Sequence, residues 1–239
     1  MFTSRLGLAT GLTKAQPMSV KVPDIITLEM MRQDLYCAVV CDALDSLGLN
    51  HQSPRIPLTP LTKRGLLVGR CRTTLWADMF HKDPRPYELE LQAVDACQPD
   101  EVLVAAAGGS MRSGIWGELL TTAAQNGGCV GAIVDGAVRD VDKIAAMDFP
   151  VFARGTCLYD SKDRQRVVDL DVTVEIDSVT ISPGDLILAD VDGIVVVPRE
   201  VEQTAIRCAW EKVHAENVTR DAIRNGMKAT AAWQKYGVL

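Results

Sequence analysis

The chain has 239 residues and carries 25 lysines and arginines against 31 aspartates and glutamates, a net charge of −6 at pH 7. Hydrophobic residues make up 47% of it, which is typical of a globular protein with a sizeable core. The acidic balance argues against a general binder of nucleic acids or anionic membranes, because clustered lysines and arginines meet such partners. The sequence has no apolar run near the roughly 18–20 residues that a membrane helix requires.

The seven cysteines are an odd number and are scattered without the spacing of a disulfide framework. Free thiols in a reducing compartment explain this pattern better, so we expect a cytoplasmic protein. Cys37 and Cys41 have the i, i+4 spacing of one helix face and could share a metal ion. No second Cys or His pair follows at zinc-site spacing, which favours packing in the core.

The first 23 residues contain no acidic side chain, and an organellar transit peptide is one interpretation of this segment. Arg5 is its only arginine, however, and Gly7, Gly11 and Pro17 interrupt it. A flexible or packed N-terminal arm over residues 1–23 is therefore the favoured interpretation.

Apolar periodicity, with glycines and prolines as boundaries, predicts alternating helices and strands through the first two thirds of the chain. In chain order we expect a helix over 24–47 closed by Gly48, a loop over 50–62, one or two strands over 65–76, a loop over 81–86, a helix ending near 96, a strand over 101–107, a helix over 115–125, a strand over 129–134, a helix over 139–147 and a strand over 151–153. This alternation is typical of an α/β protein.

The pattern changes after residue 166. Residues 167–181 and 186–197 are predicted to form antiparallel strands, with turns at 183–185 and at Asp192-Gly193. A long amphipathic helix follows over about 200–225.

These elements predict a single α/β domain with a mixed sheet, because no linker, repeat or low-complexity segment divides the chain. We place this domain at residues 24–200. The C-terminal helical segment, residues 201–239, is expected to pack on the same domain.

Residues 101–140 repeat a strand–turn–helix unit twice. The glycine-rich turn before the first of these helices leaves backbone N–H groups free, among them those of Glu118, Leu119 and Leu120. Together with the helix dipole, these amides can bind an anion such as a carboxylate. Every α/β protein has such turns, so this signal alone is weak.

The second of these strands leads into a predicted turn that starts at Asp135-Gly136 and ends with Arg139 and Asp140. An aspartate at this point can be a plain helix N-terminal charge, with Arg139 as its surface partner. Ligands of open α/β sheets, however, bind at the carboxyl ends of the strands, where Glu118 and Asp140 would both lie. Two carboxylates beside a permanent cation suit a hard divalent ion and an anionic oxo-substrate. The spacing alone leaves both interpretations open.

The run GELLTTAAQNGGCVGAIVDGAVRD over 117–140 resembles the signature of the RraA-like family. The likeness covers about residues 24–200 and includes the hairpin GDLILADVDGIVVVP. That family includes class II pyruvate aldolases acting on 4-hydroxy-4-methyl-2-oxoglutarate and 4-carboxy-4-hydroxy-2-oxoadipate, and regulators that inhibit RNase E. The resemblance implies a layered α/β/β fold, like that of swivelling domains, in a ring-shaped trimer or a dimer of trimers with sites between subunits.

Carried over by position, the resemblance implies that Asp140 binds Mg²⁺ or Mn²⁺ directly, with water in the remaining positions. Glu118 stands where the family has an acidic residue that holds metal-bound water, and Arg139 would contact the oxygen of a 2-oxo acid. Backbone amides at the start of the helix would bind the substrate carboxylate. The substrate-binding set that follows is Gly117, Leu119, Leu120 and Arg139.

The reaction implied by the resemblance is cleavage of a 4-hydroxy-2-oxo acid, or decarboxylation of oxaloacetate, either of which leaves a pyruvate enolate. The divalent ion and Arg139 would stabilise its charge, and water oriented by Glu118 would act as a base or proton relay. The regulators lack the full set of Glu118, Arg139 and Asp140, which favours an enzyme. The alternatives are a regulator that binds a protein partner and an enzyme that acts on another oxo-acid or sugar-acid.

Residues 76–86 depart from the small-residue stretch of the best-characterised aldolases, and could rim the site and select another substrate. His81 in this segment is either an additional acid/base or, more often in such loops, a solvated residue. Arg112 could clamp a distal carboxylate of the substrate or pair with an acid at a subunit interface. Arg154 and Asp160 follow a strand and could line a neighbouring edge.

Overall fold

A computed structural model describes residues 22–63 and 65–238. The N-terminal arm expected over residues 1–23 lies outside the described residues, apart from its last two. Ile25–Ala209 form one compact unit that contains the whole sheet, and the chain from Trp210 belongs to a second unit. The packing of the C-terminal segment on the first domain stays a prediction. Within the described residues, no helix combines the length and apolar character needed to cross a membrane.

The elements follow the alternation that the sequence predicts. The helices are α1 Leu28–Asp34, α2 Cys37–Ser46, α3 Glu88–Asp95, α4 Glu118–Asn126, α5 Val141–Ala146, α6 Glu202–Arg224 and α7 Ala229–Tyr236. The strands are β1 Thr59–Pro60, β2 Leu67–Asp78, β3 Glu101–Ala106, β4 Gly114–Trp116, β5 Gly131–Val138, β6 Val151–Thr156, β7 Gln165–Leu170, β8 Val174–Ile176, β9 Val179–Ile181, β10 Leu186–Asp190 and β11 Gly193–Val197.

Nine strands form one mixed sheet in the order β1-β6-β5-β3-β2-β10-β11, with β4 paired to β5 and β7 paired to β2. The pairs β2–β3, β3–β5, β4–β5 and β5–β6 are parallel, and the others are antiparallel. Strands β8 and β9 form a separate antiparallel pair. The expectation of an α/β protein with a mixed sheet is confirmed.

The core lies on both faces of the central strands, which explains their almost continuous apolar sequence. Along β3, Leu103 and Ala105 pack into one cluster with helix and strand residues, whereas Val102 and Val104 pack into another with the β8–β9 pair. This alternation follows from the two-residue period of a strand. The strands are thereby fixed in register, and the loops at their carboxyl ends are carried on a rigid support.

Three predicted boundaries are wrong in instructive ways. The first helix is two helices, because Leu35 adopts an extended conformation after α1. Residues 115–116 belong to β4 and not to the following helix, which begins at Glu118. The predicted turn at Asp135-Gly136 is the middle of β5, where a β-bulge lets the strand continue to Val138 between β4 and β6.

Residues 167–181 belong to three strands, β7, β8 and β9, with two reversals of the chain that the sequence pattern did not predict. Asp171, Asp177 and Ser178 have positive φ values of 52°, 50° and 64°, and the chain reverses there. Short polar side chains tolerate this left-handed conformation better than branched ones.

All seven cysteines are free, as expected for a chain without a disulfide framework. Cys37 is buried in α2, and its Sγ lies 3.5 Å from the carbonyl oxygen of Gly193. Burial, with the nearby Asp190 carboxylate, raises the pKa of the Cys37 thiol far above its ordinary value. A protonated, packed thiol agrees with the interpretation of Cys37 as a core residue.

Candidate active site

The predicted site residues other than Arg112 meet at the carboxyl ends of two adjacent parallel strands. Trp116, the last residue of β4, is in register with Val138, the last residue of β5. Arg139 and Asp140 leave β5 at the point where Gly117 leads from β4 into α4. Loops at this edge of an α/β sheet are where ligands bind, so the arrangement is the one that the sequence predicts.

Asp140 is held against the start of α4. Its Oδ2 accepts a hydrogen bond from the backbone N–H of Glu118 at 3.3 Å, and its backbone is left-handed, with φ 58° and ψ 31°. A short polar side chain is one of the few that tolerate this conformation. The first intrahelical bond of α4 comes from Thr121 N–H to the Gly117 carbonyl, so the preceding amides of Leu119 and Leu120 have no acceptor within the helix. They remain suited to a substrate carboxylate.

Position 117 requires glycine because the Asp140 and Arg139 side chains lie close to its Cα atom. Its backbone angles do not require glycine, since φ −151° is open to any residue. A Cβ atom on Gly117 would lie 2.9 Å from Asp140 Oδ2 and 3.3 Å from Arg139 Cγ. The absence of a side chain lets both functional groups approach the helix.

Replacing Gly117 by alanine is therefore expected to displace Asp140 and Arg139 while leaving the fold intact. For the pyruvate release that the resemblance implies, we expect kcat/KM to fall by about 10- to 100-fold, the size of effect that a displacement of about 1 Å has on catalysis, with little change in Tm. Gly155→Ala is the matched control, because a Cβ there would meet only the mobile end of Met111, at 3.1 Å. Equal activity of the two variants would show that the approach to Gly117 is unimportant.

Arg139 is fixed by a carboxylate outside the family signature. Its Nη2 donates to Asp160 Oδ2 at 2.6 Å, and its Nε lies 4.0 Å from Asp140 Oδ2. Asp160 Oδ1 in turn accepts from the Tyr87 hydroxyl at 2.6 Å and from the Lys162 backbone N–H at 2.8 Å. The guanidinium thus lies between two carboxylates, is anchored at Nη2 by Asp160, and lines the cavity described below.

The pKa values agree with this network. Partial burial acts to raise the pKa of Asp160, but the hydrogen bonds from Tyr87, Lys162 and Arg139 outweigh it and leave that pKa below its usual value. Burial and the bond to Asp160 raise the pKa of Tyr87 to about 12. Near neutral pH, Tyr87 is therefore a donor and Asp160 a charged acceptor.

Glu90 is a further acid of the site, and one that motif reasoning missed. It is buried on α3, where its Oε2 accepts a hydrogen bond from Ser161 Oγ at 3.2 Å. Burial is the main cause that raises its pKa to about 7. The one sequence signal is that Glu90, Ala93 and Val94 share a helix face that is otherwise apolar.

These groups line a cavity of about 280 Å³. Its lining residues are Tyr87, Glu90, Leu91, Gly114, Ile115, Gly117, Leu119, Leu120, Arg139, Asp140, Asp160 and Ser161. Three carboxyl groups and one guanidinium face an apolar wall of leucines and isoleucine. A larger cavity of about 420 Å³ lies between residues 53–59 and the turn after β10. We place the site in the smaller cavity, because that is where the predicted functional groups converge.

The donor set fits a divalent ion that keeps most of its water. Within the described residues, no group of three or more His, Cys, Asp or Glu side chains is arranged to hold a metal ion. Mg²⁺ is commonly bound by one or two carboxylates together with water and substrate oxygens. Asp140 is exposed at the cavity and can supply one such carboxylate. Glu118 is half-buried and is not among the described residues that line the cavity, and its contact with metal-bound water stays a prediction.

Arg112 lies elsewhere. Its guanidinium covers the Phe80 ring at 4.4 Å from the centroid and donates to the Met79 carbonyl at 3.2 Å. It is not among the described residues that line the cavity. The structure therefore joins Arg112 to the unusual 76–86 segment, in which His81 is exposed, and the predicted contact of Arg112 with a substrate stays a prediction.

Arg154 forms a second charged pair near this edge of the sheet. Its Nε donates to Asp135 Oδ1 at 2.5 Å, and Oδ2 of the same buried carboxylate accepts from the Gly109 backbone N–H at 3.1 Å. The pair links β5 to β6 and to the loop after β3. Asp160, which we expected at a neighbouring edge, instead lies in the cavity.

The fold and the site define an α/β protein with an arginine–carboxylate centre at the carboxyl edge of a mixed sheet. Residues 37–196 match the RraA-like family, described as Aldolase/RraA. The chain therefore belongs to the RraA-like family, as the resemblance of residues 117–140 indicates.

Individual relatives agree with this assignment. A Halalkalibacterium halodurans protein, provisionally named a 4-hydroxy-4-methyl-2-oxoglutarate aldolase, is 31% identical over 194 residues, which cover 81% of this chain and 87% of that protein. The Legionella pneumophila protein DlpA is 28% identical over 209 residues, 87% of this chain but 34% of its own length. The crystal structure of Streptomyces coelicolor RraAS2, described as an unusual member of the RNase ES inhibitor RraA protein family, matches with a TM-score of 0.72 at 28% identity, over 84% of this chain and 99% of that one.

Proposed function

We propose that this protein is a divalent-metal-dependent carbon–carbon lyase that cleaves a 4-hydroxy-2-oxo acid to release pyruvate, and that it also decarboxylates oxaloacetate. The observation that supports this most directly is the meeting of Arg139, Asp140 and the first-turn amides of α4 at one wall of a cavity. The provisional naming of relatives as aldolases points to the same chemistry.

Each group has a distinct role in this proposal. Asp140, with Glu118 acting through water, would hold Mg²⁺ or Mn²⁺, which supplies a Lewis acid for charge that develops on the 2-oxo oxygen. Arg139 adds a permanent cation beside the same oxygen, and its anchored edge on Asp160 keeps it oriented. The amides of Leu119 and Leu120 bind the substrate carboxylate at the positive end of the helix dipole.

The apolar wall of the cavity suggests how the site is completed. The Leu119 side chain is 77% exposed although it lines the site, and Leu91 is 49% exposed. We propose that a neighbouring subunit covers them in a ring-shaped trimer or hexamer, and that the protein works in the cytoplasm. The proposed partners are a small 2-oxo acid and copies of this chain, with neither nucleic acid nor membrane.

A second candidate function is regulation through binding of a protein partner. The likeness to RraAS2, which is described as a member of the RNase ES inhibitor RraA protein family, favours this alternative. A regulator has no evident need for the combination of Arg139, Asp140 and Glu118. We therefore rank the regulatory function second.

The proposal predicts metal-dependent release of pyruvate. Pyruvate is measured after adding oxaloacetate or 4-hydroxy-4-methyl-2-oxoglutarate to the full chain, with Mg²⁺, with Mn²⁺, or after EDTA treatment. We expect EDTA to lower turnover at least about 10-fold and excess Mg²⁺ to restore it, because the metal carries much of the charge stabilisation. No metal-dependent turnover on either compound would refute the lyase. Absence of Mn²⁺ binding as well would favour the regulator.

A further inference from the structure

Glu90 is a carboxyl group inside the proposed site to which the proposed function gives no task. It projects from α3 into the same cavity as Arg139 and Asp140, and it is only 8% exposed. Ser161 donates to Oε2 at 3.2 Å, which anchors one carboxyl oxygen of a residue that lines the cavity. A buried acid that lines the ligand space and is held there by one hydrogen bond is placed to exchange a proton with a bound molecule.

We propose that Glu90 is the acid that protonates the enolate carbon to release pyruvate, and the base that removes that proton in the reverse direction. This inference rests on the proposed lyase function, because it requires an enolate in the cavity. It adds a residue outside the family signature, on a helix that carries none of the other proposed catalytic groups.

The proton and electron balance is simple. In the forward direction the 4-hydroxyl proton goes to a base, the C3–C4 bond breaks, C4 becomes a carbonyl carbon, and the electron pair remains in the enolate. The enolate carbon C3 then takes the proton of the Glu90 carboxyl group, which yields pyruvate and the Glu90 carboxylate. The base releases the 4-hydroxyl proton to solvent, and solvent entering the open cavity returns one proton to Glu90, so that the cycle closes with no net change in protons. No oxidant, reductant or additional reactant is needed.

The surroundings of Glu90 keep this proton available near neutral pH. Burial raises its pKa most, the nearby Asp160 raises it further, and Ser161 and Arg139 oppose the shift, which leaves the pKa at about 7. The neighbouring elements carry other charges. Strand β7 carries the exposed Asp169 and Arg166, and Arg166 pairs with Asp83 at 3.1 Å. Helix α4 carries Glu118, and Tyr87 directly precedes α3. Since the raised pKa favours the protonated form, the competent acid is present below about pH 7 and is lost as the pH rises through that value.

Glu90→Gln is the test, because glutamine copies the neutral acid in size and hydrogen bonding but holds no transferable proton. We expect exchange of pyruvate methyl protons with D₂O, followed by NMR, to fall about 10²-fold, the usual contribution of a general acid or base. In wild type, the rate of pyruvate release should fall as the pH rises through about 7, and this fall should be absent in Glu90→Gln. Glu88→Gln is the matched control on the same helix, since Glu88 pairs with Arg85 at 3.0 Å and does not line the cavity.

A second measurement does not depend on turnover. Carboxyl titration by NMR, in wild type and Glu90→Gln, should show one glutamate that titrates near pH 7 and disappears in the variant. A wild type that releases pyruvate, combined with unchanged exchange and pH profile in Glu90→Gln, would overturn the Glu90 inference and leave the lyase intact. Titration of every glutamate near its ordinary pKa would also overturn it. A wild type inactive on both compounds would instead refute the proposed function itself.

Discussion

Asp140→Asn is expected to reduce kcat/KM for pyruvate release by about 10³-fold, which corresponds to about 4 kcal/mol of lost transition-state stabilisation. Asparagine keeps the size of the side chain and can still accept from the Glu118 amide, so the loop retains its shape. Asparagine lacks the negative charge that a hard divalent ion requires. It also removes the carboxylate oxygen whose charge lies 4.0 Å from Arg139 Nε. The measurement is steady-state pyruvate release at saturating Mg²⁺, with Mn²⁺ affinity measured in parallel.

Asp142→Asn is the matched control for Asp140, because it removes the same charge two residues further along α5. Asp142 is exposed and is not among the described residues that line the cavity. Its replacement should leave both Mn²⁺ affinity and kcat/KM within about twofold, since exposed charges are screened. Loss of activity in Asp140→Asn with Mn²⁺ affinity unchanged would contradict Asp140 as the metal ligand.

The framework of the site could be predicted because it follows from local sequence rules. The apolar runs predict β3 and β5, whereas the parallel pairing of β5 with β4, a strand that the pattern did not predict, brings Arg139, Asp140 and Glu118 to one edge. The turn predicted at Asp135-Gly136 is wrong, and it shows that local rules do not capture pairing between strands. An Asp-Gly pair indicates a turn in isolation, but here pairing of β5 with β4 and β6 continues the strand through it.

The remaining site residues depend on contacts between distant segments, which periodicity does not reveal. Tyr87 and Asp160 are 73 residues apart, and nothing in either segment shows that the hydroxyl of one meets the carboxylate of the other. Glu90 looks like one of several charges in the run ELELQAVD until packing buries it. Arg112 is close to the anion site in sequence, but its guanidinium packs on the Phe80 ring, a contact that periodicity does not predict either.

The largest expected effect on stability comes from the buried carboxylate of Asp135. Its side chain is 3% exposed and accepts from Arg154 Nε at 2.5 Å. Removing one partner of a buried pair leaves the other charge poorly solvated, a loss of roughly 3–5 kcal/mol when both partners are buried. Because Arg154 keeps 27% of its side chain exposed, we expect Asp135→Asn to lower the free energy of unfolding by about 3 kcal/mol in urea titrations.

The pair Lys63–Asp148 separates the effect of burial from that of distance. Lys63 Nζ lies 2.6 Å from Asp148 Oδ2, almost the distance found for Asp135 and Arg154, but the two side chains are 43% and 76% exposed. Lys63→Gln should therefore change the free energy of unfolding by less than about 1 kcal/mol. A double-mutant cycle of Asp135→Asn with Arg154→Gln should give a coupling energy above about 1 kcal/mol, because the double variant leaves no unpaired charge. Similar effects of Asp135→Asn and Lys63→Gln would show that burial does not govern the stability of this edge of the sheet.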